Sequence, residues 1–240
     1  MSPLTVARVG IGLAATLKAL ELWPVLIRLA GDPRVVQMPL APWPWPRPSA
    51  AAAPWVAATW AGLGLTLAAG KAVPVTGTLL AALVGYVLTL DQQTYSNHLY
   101  LLSLLSVLLA LAHTERHREP ALALLRWQLV VVYAFAAASK INADFLSGRA
   151  IAENLPPALA ALAAHPVPAA LAVAAIVTEA FVAWSLLRPR WRVAGVVAGV
   201  GLHVVFVLAV AQTLAMIAFA IICLSIYPLY FASTPAEEIP

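Results

Sequence analysis

The sequence predicts an all-α fold: a polytopic integral membrane bundle of about eight transmembrane helices in a single domain, residues 1–240. Three observations carry this. First, 62% of the residues are hydrophobic and 10% are charged, with a mean hydropathy of +0.89. Soluble domains carry about 25% charged residues. Second, long apolar runs recur between short polar breaks, as expected of helices of about 20 residues crossing a ~30 Å hydrocarbon layer. Third, no hydrophilic segment is long enough to bury a core of its own. The net charge of +4 and pI near 9.5 follow from lysines and arginines in the loops. No basic stripe interleaved with aromatics is present, so nucleic acid is not an expected partner. A single cysteine, Cys223, excludes an internal disulfide and any cysteine-rich metal site, and reads as a packing residue.

The first span covers about Leu4 to Ala30. At 100° per residue Lys18, Glu21 and Arg28 share one sector, a stripe that should face protein, with Lys18 and Glu21 spaced to pair at i,i+3. These charges interrupt any signal-peptide core, so the segment reads as a retained span, with Pro24 placed to kink its end. Asp32 to Ser49 reads as a loop, because Pro33, Pro39, Pro42, Pro44, Pro46 and Pro48 forbid helix. Trp43, Trp45 and Trp55 read as an interfacial aromatic belt, with a proline-rich recognition motif as the alternative.

Spans two and three cover about Ala50–Ala69 and Ala72–Leu90, with Gly62, Gly64, Gly77 and Gly85 suited to close helix packing in lipid. The polar segment Asp91 to Leu102 leads into span four, Asn97 to Ala112. Asn97 is a preferred helix cap, a role compatible with ligand contact. The run His113 to Glu119 reads as a solvated loop. His113 and His117 stand at i,i+4, but no third metal ligand is apparent, so no metal is expected.

Span five, about Ala121 to Ile141, ends in Ser139-Lys140-Ile141-Asn142-Ala143-Asp144. A lysine beside so apolar a run is costly unless it meets a partner or water, which makes Lys140 a functional candidate. The alternative is a helix-end cation that suits the macrodipole and snorkels to the interface. Ser139 is placed to bond its own helix backbone. After Asp144 a short interfacial helix is expected, ended by Pro156-Pro157. Span six, Val167 to Leu187, contains Glu179, expected to pair with an embedded base such as Lys18 or Arg8. Span seven, about Val193 to Val210, contains His203, a candidate for a hydrogen bond to a neighbouring helix. Span eight covers about Thr213 to Phe231, and the tail 233–240 reads as disordered.

Eight spans put both termini on one side. If that side is cytoplasmic, the inner loops carry Lys71, Arg116, Arg118, Arg126, Arg188, Arg190 and Arg192, while the outer ones carry Arg28, Arg34, Arg47 and Arg149. That excess predicts cytoplasmic termini. The Asp91–His98 turn, the Lys140–Asp144 segment and the loop after His203 then share the external face, so the polar candidates are expected to converge at one mouth of the bundle.

The same residues carry a resemblance. Asp91 with Asn97-His98-Leu99-Tyr100, Leu125-Arg126 with Gln128 and Val132-Tyr133, Ser139-Lys140-Ile141-Asn142-Ala143-Asp144, and then Glu179 and His203 resemble the transmembrane domain of vitamin K-dependent gamma-carboxylases, the horizontally transferred transmembrane (HTTM) domain family of bacteria. The resemblance implies that Lys140 is the base toward a quinol and His98 a hydrogen-bond partner to its oxygen. Asp91, Asn97, Asn142, Asp144 and His203 would line the site, with Lys18, Glu21 and Glu179 as structural polar groups. Asp144 and Arg149 also read as ordinary interface residues. The implied cofactor is a quinol (menaquinol or vitamin K hydroquinone), the implied partners a membrane lipid or quinone, and the implied location a bacterial inner membrane. The carboxylase continues into a large lumenal portion and carries a basic or acidic residue where Ser139 and Asn142 stand here. Binding of a quinone-like lipid is therefore expected in preference to glutamate carboxylation. A non-catalytic membrane subunit that helps mature or export a peptide or partner protein is the alternative. No pair of broken helices suggests a transporter.

Overall fold

The computed structural model describes residues 1–32, 34–36, 38, 40, 45–211 and 213–232. Among these, every regular element is helical. Ten α-helices follow in order: α1 Pro3–Gly31, α2 Ala53–Ala68, α3 Val73–Leu90, α4 Asn97–Ala112, α5 Arg118–Ser139, α6 Ala143–Leu146, α7 Arg149–Ala152, α8 Val167–Leu186, α9 Arg192–Ala209 and α10 Thr213–Ile226. Short 3₁₀ segments precede α5, α8 and α9, and one continues α10 to Phe231. The eight longer helices lie at the eight expected places. Six helical stretches are long and apolar enough to cross a membrane: Pro3–Gly31, Val73–Leu90, Glu115–Ser139, Val167–Leu186, Pro189–Ala209 and Thr213–Phe231. α2 and α4, at 16 residues each, fall short of the roughly 20 that a straight crossing needs. The chain is an integral membrane protein.

Local signals explain most boundaries. Ser2 caps α1, its hydroxyl accepting from Thr5 N at 3.2 Å, and Pro3 occupies the first turn, where its missing N–H costs nothing. The helix continues through Pro24 to Gly31. The cap of α4 is Ser96, not Asn97: Ser96 has extended backbone angles and its hydroxyl accepts from Leu99 N, while Asn97 is already helical. The single short helix expected after Asp144 is two four-residue helices, α6 and α7. They are separated at Gly148, whose φ of +79° interrupts helical geometry. A Cβ there would also lie 2.3 Å from Ala169 N, so the close approach to α8 requires glycine. Of the tryptophans expected in an interfacial belt, Trp45 and Trp55 are exposed. Trp43, four of the loop prolines and the tail 233–240 lie outside the described residues.

The chain divides into two compact units: Met1–Leu125 with Ile221–Leu229, and Arg126–Ala220 with the chain from Tyr230. In the first, α1 and α2 cross at small residues. A Cβ on Gly12 would lie 2.5 Å from Gly64 O, and one on Gly64 2.7 Å from Gly12 O. Such backbone-to-backbone approach supplies dispersion contact where lipid offers no hydrophobic drive. Cys223 is buried in this unit, as expected of a packing residue. In the second unit α8 and α9 form a hairpin, in which Gly195 faces Ser185.

Candidate functional site around Lys140 and Glu179

The second unit's site begins with how α5 ends. Lys140 N bonds Ala137 O at 3.3 Å and Ile141 N bonds Ala138 O at 3.2 Å, tightening the last turn. Asn142 then starts α6. Its Oδ1 accepts from Phe145 N at 2.9 Å, and its Nδ2 donates back to Ser139 O at 2.9 Å. One asparagine thus satisfies an orphan carbonyl of α5 and an orphan N–H of α6. Ser139 donates to Ala136 O at 3.1 Å, the backbone bond expected of it.

Lys140 is held by that turn against α8. Its Nζ donates to Glu179 Oε1 at 2.7 Å and Oε2 at 2.9 Å, with Ala136 O at 3.3 Å. The rings of Phe145 and Phe206 stand 5.7 and 6.0 Å from the ammonium. Glu179 is 3% exposed and Lys140 22%, so the anion is enclosed while the cation keeps an opening. Glu179 therefore does not pair with Lys18 or Arg8, the partners expected from sequence. Lys18 bonds Glu21 at 2.7 Å and Arg8 donates to the carbonyls of Leu67 and Ala68. Lys140 stands 39 positions from Glu179, beyond the reach of any spacing rule within one helix.

Two turns before Lys140, on the same face of α5, buried Tyr133 meets buried His203 of α9: the phenol oxygen lies 2.8 Å from Nε2. Phe219 approaches the imidazole edge-on at 5.3 Å. His203 thus bonds a neighbouring helix, as its position suggested. Tyr133 stands among the residues that carry the resemblance but has no role assigned there, although its seven-residue spacing from Lys140 marks a shared face. Asp144 is exposed and lies 3.6 Å from Arg149, which also bonds Glu153 at 3.2 Å. This surface network is worth little energetically.

The remaining candidates belong to the first unit. Asp91, buried at the end of α3, accepts from Met38 N at 2.8 Å and Gln93 N at 3.0 Å, and Arg47 lies 3.8 Å away. Leu26, Leu29, Ala30, Leu90, Pro48, Arg47 and Asp91 line a small cavity there. Asn97 Oδ1 accepts from Tyr95 at 3.0 Å, and half-buried His98 sits in the first turn of α4. Among the described residues, no cluster of three or more metal-ligating side chains occurs.

No curated protein and no solved structure matches the chain at a significant level. Residues 1–119 match the family model described as the HTTM domain, so this part of the chain is similar to that family.

Proposed function

We propose that this membrane protein binds a quinol or similar lipid, with Lys140 as the base toward its hydroxyl. The observation that carries the reading is the Lys140–Glu179 pair: a part-open lysine held at 2.7 Å from an enclosed carboxylate between two aromatic rings. An ion-paired ammonium cannot take a proton. A shift of one proton from Nζ to Glu179 Oε1 leaves a neutral amine beside a neutral carboxylic acid, and the amine can then accept another. A quinol supplies, when bound, a phenolic O–H as the acid. The surroundings fit such a ligand. Phe145 and Phe206 offer faces to a planar ring beside the amine, while Lys140 and Glu179 supply donor and acceptor. The matched family segment ends at residue 119, so the support for Lys140 comes from this geometry and from the resemblance of its motif. We place the termini on the cytoplasmic side of a bacterial inner membrane, on the basic excess of the loops that this orientation puts inside.

The test is thermal stabilisation of the detergent-purified protein by menaquinol and by vitamin K hydroquinone. Wild type is compared with Lys140→Ala, His98→Ala and the paired neutral variant Lys140→Met/Glu179→Gln. The paired variant guards against simple unfolding, since it leaves no unpaired charge. Stabilisation of wild type that the paired variant loses, with its apo stability kept, supports the reading. Absence of any shift in wild type overturns it. His98→Ala reports separately on the second residue the resemblance implies.

A second reading rests on the same pair. Lys140 already engages both oxygens of Glu179 and Ala136 O, which suits a clamp between α5 and α8 in a non-catalytic subunit that assists a partner protein. That subunit would tolerate the paired neutral variant in a maturation or export assay, whereas a quinol enzyme would not.

A further inference from the structure

The carboxylates of the second unit are unevenly distributed. Among its described residues Asp144, Glu153 and Glu179 are all engaged by Arg149 or Lys140, at 3.6, 3.2 and 2.7 Å. The turn joining α8 to α9, Leu187-Arg188-Pro189-Arg190-Trp191-Arg192, has three arginines and no acidic residue. Arg192 is used by the fold itself: it donates to Leu186 O at 3.3 Å and Tyr230 O at 2.9 Å, capping α8 and fixing the chain after α10. Arg188 and Arg190 are exposed and meet no carboxylate among the described residues.

Beneath them lies a platform of rings. The Arg190 guanidinium stands 5.7 Å from the Trp191 ring centre. Trp191 lies 5.7 Å from Trp184, and Phe181 lies 6.0 Å from Trp184 and 6.4 Å from Trp191. Trp184, Trp191 and Leu187 are exposed. Both flanking helices are long and apolar enough to cross a membrane, so the turn between them lies at a water–lipid boundary. Indole rings at that depth suit the ester region, and guanidinium groups above them match phosphate geometry in pairs.

We infer that this turn is a binding surface for anionic phospholipid headgroups, with Arg188 and Arg190 on the phosphate and the Trp184–Trp191–Phe181 platform against the upper acyl chain. Charge complementarity selects this occupant: two cations without a carboxylate, on an aromatic shelf, at the bilayer boundary. The inference is independent of the quinol reading, since none of these residues touches Lys140 or Glu179.

The test is native mass spectrometry of the full chain in detergent with phosphatidylglycerol and phosphatidylcholine of identical acyl chains. Wild type is expected to retain phosphatidylglycerol preferentially. Each basic side chain near an anionic surface is worth about fivefold, so Arg188→Gln/Arg190→Gln should weaken phosphatidylglycerol roughly thirty-fold and leave phosphatidylcholine unchanged. Arg188→Lys/Arg190→Lys should keep most of the preference, showing that charge and not folding was lost. Lys71→Gln, which removes an exposed cation from the turn between α2 and α3, should change nothing. The inference is overturned if the glutamine variant keeps the preference, or if Lys71→Gln abolishes it equally. It also falls if the preference emerges only in Glu237→Gln/Glu238→Gln, which would make the tail carboxylates the occupants of the arginines.

Discussion

Each unit contains a lysine–glutamate pair at 2.7 Å, and the two are built in opposite ways. In the first unit Lys18 and Glu21 lie one turn apart on α1. The lysine is shut in at 2% exposure and the glutamate reaches out at 26%. In the second, Lys140 and Glu179 come from different helices, and it is the glutamate that is shut in, at 3% against 22%. The contrast extends to other polar groups. The first unit directs Arg8 to the carbonyls of Leu67 and Ala68, Asp91 to the N–H groups of Met38 and Gln93, and Thr94 to the carbonyls of Val87 and Asp91. The second unit matches side chain to side chain across helices, at Lys140–Glu179 and Tyr133–His203. A bond to backbone asks for one particular residue, because every neighbour carries the same N–H and C=O. A side-chain pair asks for two, which makes these two pairings of the second unit the more specific arrangement.

The largest effect should come from removing the exposed member of a pair and stranding the enclosed one. Lys140→Ala leaves the Glu179 carboxylate enclosed without a cation, and about 3–5 kcal/mol of stability is expected to go with it. Glu179→Gln should cost clearly less, since Lys140 retains an opening to solvent and the amide oxygen still accepts from Nζ. In the first unit the order should invert: Glu21→Gln strands the enclosed Lys18, whereas Lys18→Met leaves Glu21 free to reach water. Equilibrium unfolding in mixed micelles of the four variants measures this. Equal costs within each pair would mean that enclosure does not decide which partner matters, and the contrast would dissolve.

That contrast also marks what the sequence could reveal. Lys18–Glu21 was legible because both residues lie on one helix, where three positions make one turn. The eight long helices were legible because apolar length and its polar, proline or glycine punctuation are local properties, and α4 was bounded at Asn97 and Ala112 by the polar runs on either side. The partner of Glu179 was not legible. Lys18, Arg8 and Lys140 were chemically equivalent candidates, and only the three-dimensional placement of Lys140 beside Glu179 distinguishes them. The role of Tyr133 was not legible for the same reason: a tyrosine in an apolar run reads as core until its partner on α9 is known. The capping of α4 by Ser96 was a near miss, as either residue can cap and the backbone angles decide. The matched family segment lies in residues 1–119, so the site in the second unit rests on its own geometry.

Helix crossings should show the same division at intermediate size. Gly12→Ala in the first unit drives a methyl to 2.5 Å from Gly64 O and 2.6 Å from Ala68 N, backbone atoms that cannot step aside. The helices must part, at about 1–3 kcal/mol. Gly195→Ala in the second unit drives a methyl to 1.8 Å from Ser185 Oγ and 2.8 Å from its Cβ, both side-chain atoms. Gly195→Ala should therefore be repairable by Ser185→Gly, while no single side-chain change should rescue Gly12→Ala. Melting temperatures of the two alanine variants and the swap decide it. A swap no more stable than Gly195→Ala alone would show that this crossing too is set by backbone.

The smallest expected effect tests whether the second unit's side-chain pairing is energetic or merely geometric. Tyr133→Phe keeps the ring and removes only the hydroxyl, leaving buried His203 Nε2 without its 2.8 Å partner. About 1 kcal/mol should be lost, the usual worth of such a bond when the other partner stays buried. His203→Phe removes the opposite half while preserving an aromatic group against Phe219. In a double-mutant cycle the two changes together should cost about 1 kcal/mol less than their sum, because the bond can be lost only once. Membrane hydrogen bonds average near 0.6 kcal/mol in such cycles, so a coupling of that size or larger marks a bond that holds α5 to α9. Additivity would instead reduce Tyr133 and His203 to independent packing residues. Lys140–Glu179 would then be the one energetically coupled side-chain pair of the two, and the specificity attributed to the second unit would rest on that pair alone.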